Sequence, residues 1–306
     1  MKGKLKIGLA LGGGGARGTA HIGVLQVLHR EKIPIHVISG TSAGAIIGAM
    51  YAATLDPQWI EKRYFDFLKS DLFRAIGVKH INREKQVSSS VIGQLGRLVK
   101  DRIVINIALS RKGVIDRGKL IRAVKYLLPV RDFSELKIPL KVIASDLNSG
   151  EEMSYDSGDL VEAVTLSSSI PGYVAPYDNN GQIVVDGSVT SPLPINCLSN
   201  SEINFTIAVD IARRDMEILD DYNIMELLTR SEHLTIVKLT DELAKKADFV
   251  ISPDVGGAHW SEFNRVQEFL ENGIKAAENN IVEIKKELSD RKKIGYRLKQ
   301  WIWKSL

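Results

Sequence analysis

Apolar residues form two kinds of run along this chain, short continuous runs typical of buried strands and longer runs at helical spacing. A first strand is predicted over 4–11, and a helix over 19–31 carries its apolar residues on one broad face. A second apolar run, 35–39, predicts another strand, and the small residues of 43–53 predict another helix. This strand–helix–strand–helix order predicts a parallel sheet covered by helices.

The same alternation continues through the rest of the chain. Further strands are predicted at 139–147, 152–155, 182–187, 204–211 and 249–251, and further helices at 59–68, 116–128, 159–168, 220–246 and 261–288. No repeat or low-complexity linker divides the chain, so one α/β domain over 1–306 is expected, with a mostly parallel central sheet and helices on both faces. Residues 57–115 have no clear period and are predicted to form either a lid over a site or two outer helices.

Composition and charge narrow the functional classes. The chain has 306 residues, of which 44% are hydrophobic and 25% charged, as in ordinary globular proteins. The net charge of +4 is too small to argue for a nucleic-acid partner. Cys197 is the only cysteine, which excludes an internal disulfide and suits a reducing compartment. No apolar run has the length of a membrane-spanning helix, and glycines interrupt the apolar start before any signal-peptide cleavage site, so a cytoplasmic protein is expected.

A candidate nucleophile lies between the second predicted strand and the helix that follows it. Gly40-Thr41-Ser42-Ala43-Gly44 fits Gly-x-Ser-x-Gly in the strand–turn–helix context that this motif requires. Such a turn exposes the serine hydroxyl and directs a helix N-terminus at the same place. A Cβ at Gly40 or Gly44 would crowd the turn. A glycine–serine turn without chemistry is the alternative interpretation, and the flanking strand and helix disfavour it.

A glycine-rich loop at 12–18 separates the first strand from the first helix. It fits G-x-G-x-x-G, but the second strand ends without the acidic residue of a dinucleotide site. A P-loop would need a lysine before Thr19. What remains is a loop of backbone N–H donors with one cation, Arg17, which can bind an anion or stabilise a developing oxyanion.

Three motifs, in this order, resemble those of the patatin-like phospholipase family in its bacterial branch. They are Gly13-Gly14-Gly15-Ala16-Arg17-Gly18, the turn at 40–44, and Asp186-Gly187, which follows the similar run 167–173. Ser188 stands where the family usually has Gly or Ala, and it leaves the carboxylate intact. The resemblance covers about 5–194 and thins beyond about 204.

The resemblance implies a patatin-like fold and a serine hydrolase that works without a catalytic histidine. Asp186 would orient and deprotonate Ser42, which attacks an ester carbonyl. The N–H groups of Gly13–Gly15, with Arg17 beside them, would hold the oxyanion. The implied substrates are lipid acyl esters such as phospholipid or lysophospholipid, with no metal or organic cofactor. A non-catalytic protein that binds acyl groups on the same fold is the alternative.

Several residues have other possible roles. Asp186 can cap its own turn, as is common before glycine. The order Ser…Asp…His also permits an α/β-hydrolase triad with His233 or His259, but in those enzymes the nucleophile turn lies further into the sheet. His21 is expected to make a packing or polar contact, and Arg17 has a structural ion pair as its alternative role.

The basic tail, 289–306, gives a separate clue. Six cations and no acid lie between Arg291 and Lys304. In a helix, Ile294, Leu298, Trp301 and Ile302 share one side, whereas Tyr296 and Trp303 fall on the other. Cations with tryptophan anchors suit a lipid–water interface, so peripheral contact with the inner face of a membrane is one prediction. Packing of the aromatic residues against the domain is the other, and no pattern predicts an oligomeric state.

Overall fold

A mixed β-sheet runs through the centre of the protein. The computed structural model describes residues 5–77, 113, 115–179, 181–199, 203–220 and 222–304. Within those residues the sheet has eight strands, which are β1 (Ile7–Leu11), β2 (Val37–Thr41), β3 (Leu140–Asp146), β4 (Glu152–Tyr155), β5 (Tyr177–Asn179), β6 (Gln182–Asp186), β7 (Phe205–Val209) and β8 (Phe249–Ile251).

The strand order puts the candidate residues on neighbouring strands. The order is β5-β6-β3-β2-β1-β7-β8, and β4 also pairs with β3. The strands from β3 to β8 in this order pair in parallel, whereas β4, β5 and β6 pair antiparallel. The mostly parallel sheet is therefore as predicted. Thr41 of β2 pairs with Ile143 of β3, and Ala144 of β3 pairs with Asp186 of β6, so Ser42 and Asp186 lie level across β3.

Eight helices accompany these strands within the described residues. They are α1 (Thr19–Arg30), α2 (Ala43–Thr54), α3 (Pro57–Lys69), α4 (Asp71–Ile76), α5 (Arg117–Leu127), α6 (Leu160–Ser167), α7 (Ile224–Ala244) and α8 (Val266–Lys304). Asp56, Asp116 and Asp159 cap α3, α5 and α6 by accepting first-turn N–H groups. The short helix α4 is not predicted from the sequence, and α8 begins later than predicted because a 3-10 turn, Phe263–Arg265, precedes it. Every helix in the described part of the chain is too short or too polar to cross a membrane.

Helices cover both faces of the sheet. Leu9 and Leu11 of β1 belong to the main apolar core, which also holds residues of α1, α2 and α8. Ala10 of the same strand turns to the other face and packs with Leu243 of α7. Alternate residues of a buried strand thus serve two apolar layers, as expected for a sheet covered on both sides.

The region predicted as a lid or as outer helices is described only in part. Residues 57–77 form α3 and α4, and their Ile60, Phe67 and Phe73 are buried in the main core. Residues 57–77 therefore form two helices of the layer that covers the sheet, which is the second of the two predicted arrangements. The prediction of a lid falls mainly on residues 78–112, which lie outside the described residues.

The long helix α8 packs against α1 and reaches the residues that precede β7 and β8. It crosses α1 at Gly23 and Gly273, where an added Cβ would lie 2.2 Å and 2.1 Å from backbone carbonyl oxygens of the other helix. Near its far end, Arg291 donates to the carbonyl oxygen of Asn204 and pairs with Asp248, the residues that precede β7 and β8. The basic tail therefore leaves from the amino ends of the parallel strands, opposite to Ser42. The side chains of Trp301 and Trp303 lie outside the described residues.

Candidate active site

Ser42 occupies a strained turn between β2 and α2. Its φ of 55° and ψ of −118° lie in a region that residues with a side chain seldom adopt. The conformation is held on both sides, because its N–H donates to Ser167 Oγ at 2.8 Å and its carbonyl accepts the N–H of Ile46 at 3.1 Å. The strand–turn–helix that the sequence predicts is present, with the serine at the bend.

The residues around Ser42 leave no room for other side chains. A Cβ on Gly40 would lie 2.6 Å from the carbonyl oxygen of Gly44, and a Cβ on Gly44 would lie 2.1 Å from the backbone of β1. Thr41 ends β2, and Ala43 begins α2 and borders a cavity beside Ser42. The first-turn N–H groups of α2 have no intrahelical acceptor, so they are available to an anion at this place.

Asp186 is buried next to Ser42 and makes two different kinds of contact. Its Oδ1 accepts the N–H of Ser188 at 2.8 Å, which is the turn cap considered as an alternative role. Its Oδ2 is buried and has no regular hydrogen-bond partner among the described residues. The Ser42 hydroxyl nevertheless lies close enough to lower the pKa of the carboxyl. The pairing is therefore loose, as is common in substrate-free sites.

Burial sets the proton affinity of Asp186. Loss of solvent raises the pKa of its carboxyl to about 6, and the nearby hydroxyl of Ser42 and the N–H of Ser188 oppose that rise. The carboxyl is thus ionised at neutral pH but binds a proton more readily than an exposed aspartate. Gly187 permits this placement, because a Cβ there would lie 2.3 Å from the carbonyl oxygen of Ile143.

The glycine loop offers two open donors rather than three. The N–H of Gly13 donates to the carbonyl oxygen of Pro192 at 2.9 Å, so the prediction that Gly13 supplies an oxyanion donor is wrong. Gly13 instead leaves space for the side chain of Ser188, because a Cβ added at Gly13 would lie 2.4 Å from Ser188 Oγ. Among the described residues, no acceptor binds the N–H groups of Gly14 and Gly15, and Gly15 borders the cavity beside Ser42.

Arg17 supports the same loop. Its Nε donates to the carbonyl oxygen of Gly14 at 3.1 Å. Within the described part of the chain it forms no ion pair, since Asp210 pairs with Arg214 and Glu262 pairs with Arg265. Burial and the nearby charge of Arg213 lower the pKa of Arg17 to about 10, which leaves it charged at neutral pH.

The segment 191–194, which the sequence did not single out, ties the loops together. The carbonyl oxygen of Ser191 accepts the Thr41 hydroxyl at 2.8 Å, and that of Pro192 accepts the N–H of Gly13. The segment that follows Asp186 therefore hydrogen-bonds to both β2 and the glycine loop. The sequence feature that could have identified this segment was its position shortly after Asp186-Gly187.

An apolar cavity opens beside Ser42. Its walls come from α2, α3, α4, α5 and the segment 257–265, and they include Ile46, Tyr64, Phe67, Phe73, Trp260 and Phe263. Phe73 and Phe263 meet edge to face with ring centroids 5.0 Å apart. Sequence reasoning missed this cavity, because its walls combine segments far apart in the chain.

The histidines make contacts elsewhere. His233 Nε2 bonds to the carbonyl oxygen of Arg213 at 3.0 Å, and His259 Nδ1 bonds to Ser261 Oγ at 2.7 Å. The groups that shift the pKa of Asp186 are hydroxyl and backbone donors, with no histidine among them. His21 is buried and donates from Nε2 to the carbonyl oxygen of Gly12 at 2.8 Å, and burial lowers its pKa to about 4. In the described residues no three acidic, cysteine or histidine side chains gather as a metal site.

Comparison with known proteins shows which family this chain resembles. The model of the family described as patatin-like phospholipase matches residues 9–198. An uncharacterized NTE family protein of Mycobacterium tuberculosis is 30% identical over 206 residues, which cover 67% of this chain and 49% of that protein. The lysophospholipase NTE1 of Cryptococcus neoformans var. neoformans is 26% identical over 307 residues, which cover 92% of this chain and 17% of that protein.

The chain spans about half the length, or less, of these curated relatives. Among solved structures, VipD from Legionella pneumophila aligns with 90% of this chain and 66% of its own, with a TM-score of 0.49 and 17% identity. The family match itself runs from β1 to beyond Asp186 and covers more than half of the chain. The protein therefore belongs to the patatin-like phospholipase family.

Proposed function

We propose that the protein is a serine hydrolase of lipid acyl esters, of the phospholipase A or lysophospholipase type, in which Ser42 is the nucleophile and Asp186 its base. One observation carries the proposal. A strained, cavity-facing serine lies beside a buried carboxylate that is ionised at neutral pH and has one uncommitted oxygen. Strain of this kind persists where the surrounding structure holds it and is common at active sites.

The proposed reaction has two steps. Asp186 takes the proton of Ser42 as Oγ attacks the ester carbonyl, and the N–H groups of Gly14 and Gly15, with that of Ala43, hold the oxyanion. The ester bond breaks, Asp186 returns its proton to the leaving alcohol, and an acyl-serine remains. Asp186 then accepts a proton from water, the resulting hydroxide cleaves the acyl-serine, and the proton returns to Ser42.

The substrate class rests on the cavity and the family. Apolar walls beside Ser42 suit an acyl chain, since they offer few polar partners to a hydrophilic group. Membership of a phospholipase family and similarity to a lysophospholipase support a lipid ester. Peripheral membrane contact through the tail stays a prediction, and the start of the tail at the opposite end of the sheet from Ser42 speaks against direct delivery of substrate by it.

An active-site probe tests the proposal. A fluorophosphonate is expected to label the native protein and Ser168→Ala, a second serine that borders the cavity, but not Ser42→Ala. Hydrolysis of lysophospholipid in micelles should follow the same order. A native protein that binds fatty acid but neither takes the label nor hydrolyses any ester would favour the acyl-binding alternative.

A further inference from the structure

Trp260 contacts the glycine loop and also borders the apolar cavity. Its carbonyl oxygen accepts the N–H of Ala16 at 2.8 Å, and Ala16 directly follows the proposed oxyanion donor Gly15. Its ring meets that of Tyr173 edge to face, with the ring centroids 4.8 Å apart, and both residues line the cavity. Trp260 lies beyond residues 9–198, which the family model matches, so it is not part of the matched family region.

The close approach of Trp260 to the loop depends on Gly15. A Cβ added at Gly15 would lie 2.4 Å from the carbonyl oxygen of Trp260 and 3.0 Å from the Cβ of Trp260. Both the backbone and the first side-chain atom of Trp260 therefore lie against the loop. Because close-packed groups transmit displacement to one another, a movement of Trp260 also moves or releases the backbone of Gly15.

The turn that carries Trp260 is closed by reciprocal hydrogen bonds. The N–H of His259 donates to Oε1 of Glu262 at 2.6 Å, and the N–H of Glu262 donates to the carbonyl oxygen of His259 at 3.1 Å. Ala258 and Ser261 of the same turn are buried, whereas Trp260 is partly exposed. Since the backbone of this turn is held, the position of the indole ring and that of the carbonyl oxygen are linked within one residue.

We propose that Trp260 is a positioning residue, through which an acyl chain in the cavity holds the glycine loop in its productive position. An acyl chain beside the partly exposed indole ring adds apolar contacts to it and restricts its motion. The same residue supplies the acceptor for Ala16, so this restriction reaches the peptide next to Gly15. The inference rests on the proposed function, because that function assigns the cavity to the acyl chain and the N–H of Gly15 to the oxyanion.

The acyl chain should therefore raise kcat as well as lower KM. Contacts to a part of the substrate that does not react accelerate the reaction when they improve the position of the reacting groups, and truncated substrates then lose kcat. An acetyl ester leaves most of the cavity empty, whereas an octanoyl ester of the same alcohol reaches into it. Both steps of the proposed reaction form an oxyanion, so the ratio of the two kcat values reports on the loop whichever step limits the rate.

Kinetics on p-nitrophenyl acetate and p-nitrophenyl octanoate test this role. In the native protein, kcat for the octanoate is expected to exceed kcat for the acetate by about tenfold, which is part of the hundredfold or more that one oxyanion donor contributes. Trp260→Ala should bring this ratio close to one, and Trp260→Phe should keep most of it because it restores a ring. Phe263→Ala is the matched control, since it removes another aromatic side chain of the cavity wall. It should raise KM for the octanoate and keep the ratio.

Four kinetic outcomes would overturn the role of Trp260. They are a native ratio close to one, a change in Trp260→Ala that is confined to KM, an equal loss of kcat on both esters, and a fall of the ratio in Phe263→Ala as large as that in Trp260→Ala. Melting temperatures show whether each variant is folded. Trp260→Leu, which keeps an apolar side chain without a ring, gives the same comparison if Trp260→Ala does not fold.

Amide resonances test the link without catalysis. In Ser42→Ala with isotope-labelled glycine and alanine, saturating sodium octanoate is expected to shift the amide resonance of Ala16. Adding Trp260→Ala to this background should remove most of the shift. No shift, or an equal shift in the two proteins, overturns the inference. A native protein that hydrolyses no ester would refute the proposed function, and the resonances would still decide the role of Trp260.

Discussion

The hydroxyl of Ser42 lies beside the carboxyl of Asp186 and partly offsets the burial that raises the pKa of that carboxyl to about 6. Register explains the pairing, since Thr41 and Asp186 face adjacent residues of β3. A carboxyl with this pKa is ionised at neutral pH, yet it accepts a proton more readily than an exposed aspartate. Such an environment suits the role of base that we propose for Asp186.

The first prediction concerns the dependence of turnover on pH. Because only ionised Asp186 accepts the proton of Ser42, kcat/KM for a soluble neutral ester should fall as the pH drops through about 6, by about tenfold for each further pH unit. Rates measured from about pH 4 to pH 8 test this. An acid limb near the ordinary aspartate pKa of about 4 would show that burial does not tune this group.

Ser42 and Asp186 are expected to act as a unit. Ser42→Ala and Asp186→Asn should each lower kcat by roughly a thousandfold or more, and the double variant should lose little beyond either one, because each step needs both groups. Single-turnover rates on the three variants give the comparison. Losses that multiply in the double variant would mean that the two residues act independently.

The same buried carboxyl should weaken the fold at high pH. Its pKa of about 6 in the folded protein exceeds the ordinary aspartate value of 3.8, so its contribution to stability is greatest below about pH 4 and is lost as the pH rises through about 6. Asp186→Asn should therefore stabilise the protein at about pH 8, by up to about 3 kcal/mol, because one pKa unit corresponds to about 1.4 kcal/mol. The gain should vanish near pH 4. Denaturant unfolding at both pH values measures it, and an equal effect at both would remove ionisation as the cause.

The histidines are predicted not to act as the base. His233→Ala and His259→Ala should keep kcat/KM within about tenfold of the native value, since they bond to Arg213 and Ser261. A triad histidine supplies several orders of magnitude. A loss on that scale in a variant with the native melting temperature would favour an α/β-hydrolase arrangement.

Gly15 is predicted to be essential for the oxyanion loop. It has a φ of 58°, and an added Cβ would lie 2.4 Å from the carbonyl oxygen of Trp260, so Gly15→Ala must displace the loop and its N–H. The expected loss in kcat is about a hundredfold or more. Gly150→Ala is a matched control, because Gly150 has a φ of 74° with no neighbour within 4 Å. It should cost only about 1 kcal/mol of stability and leave kcat unchanged.

Local patterns in the sequence determined most of the helices and strands and the position of the proposed nucleophile. Apolar runs and helical spacing predicted seven of the eight strands and most helices, because each element must bury its own apolar face, and the short strand β5 was not predicted. The turn at Ser42 was predictable because the glycines around it and the flanking strand and helix are all local. The short helix α4 and the exact start of α8 were missed, since each depends on packing against distant segments.

Only the tertiary structure decided which groups meet at the site. The placement of β3 between β2 and β6 brings Asp186 to Ser42, and the carbonyl oxygen of Pro192 removes Gly13 from the available donors. The walls of the cavity and the contact of Trp260 with Ala16 likewise join segments far apart in the chain. The physical reason is that residue periodicity reports which face of an element is buried, whereas strand order, register and backbone contacts decide what it is buried against.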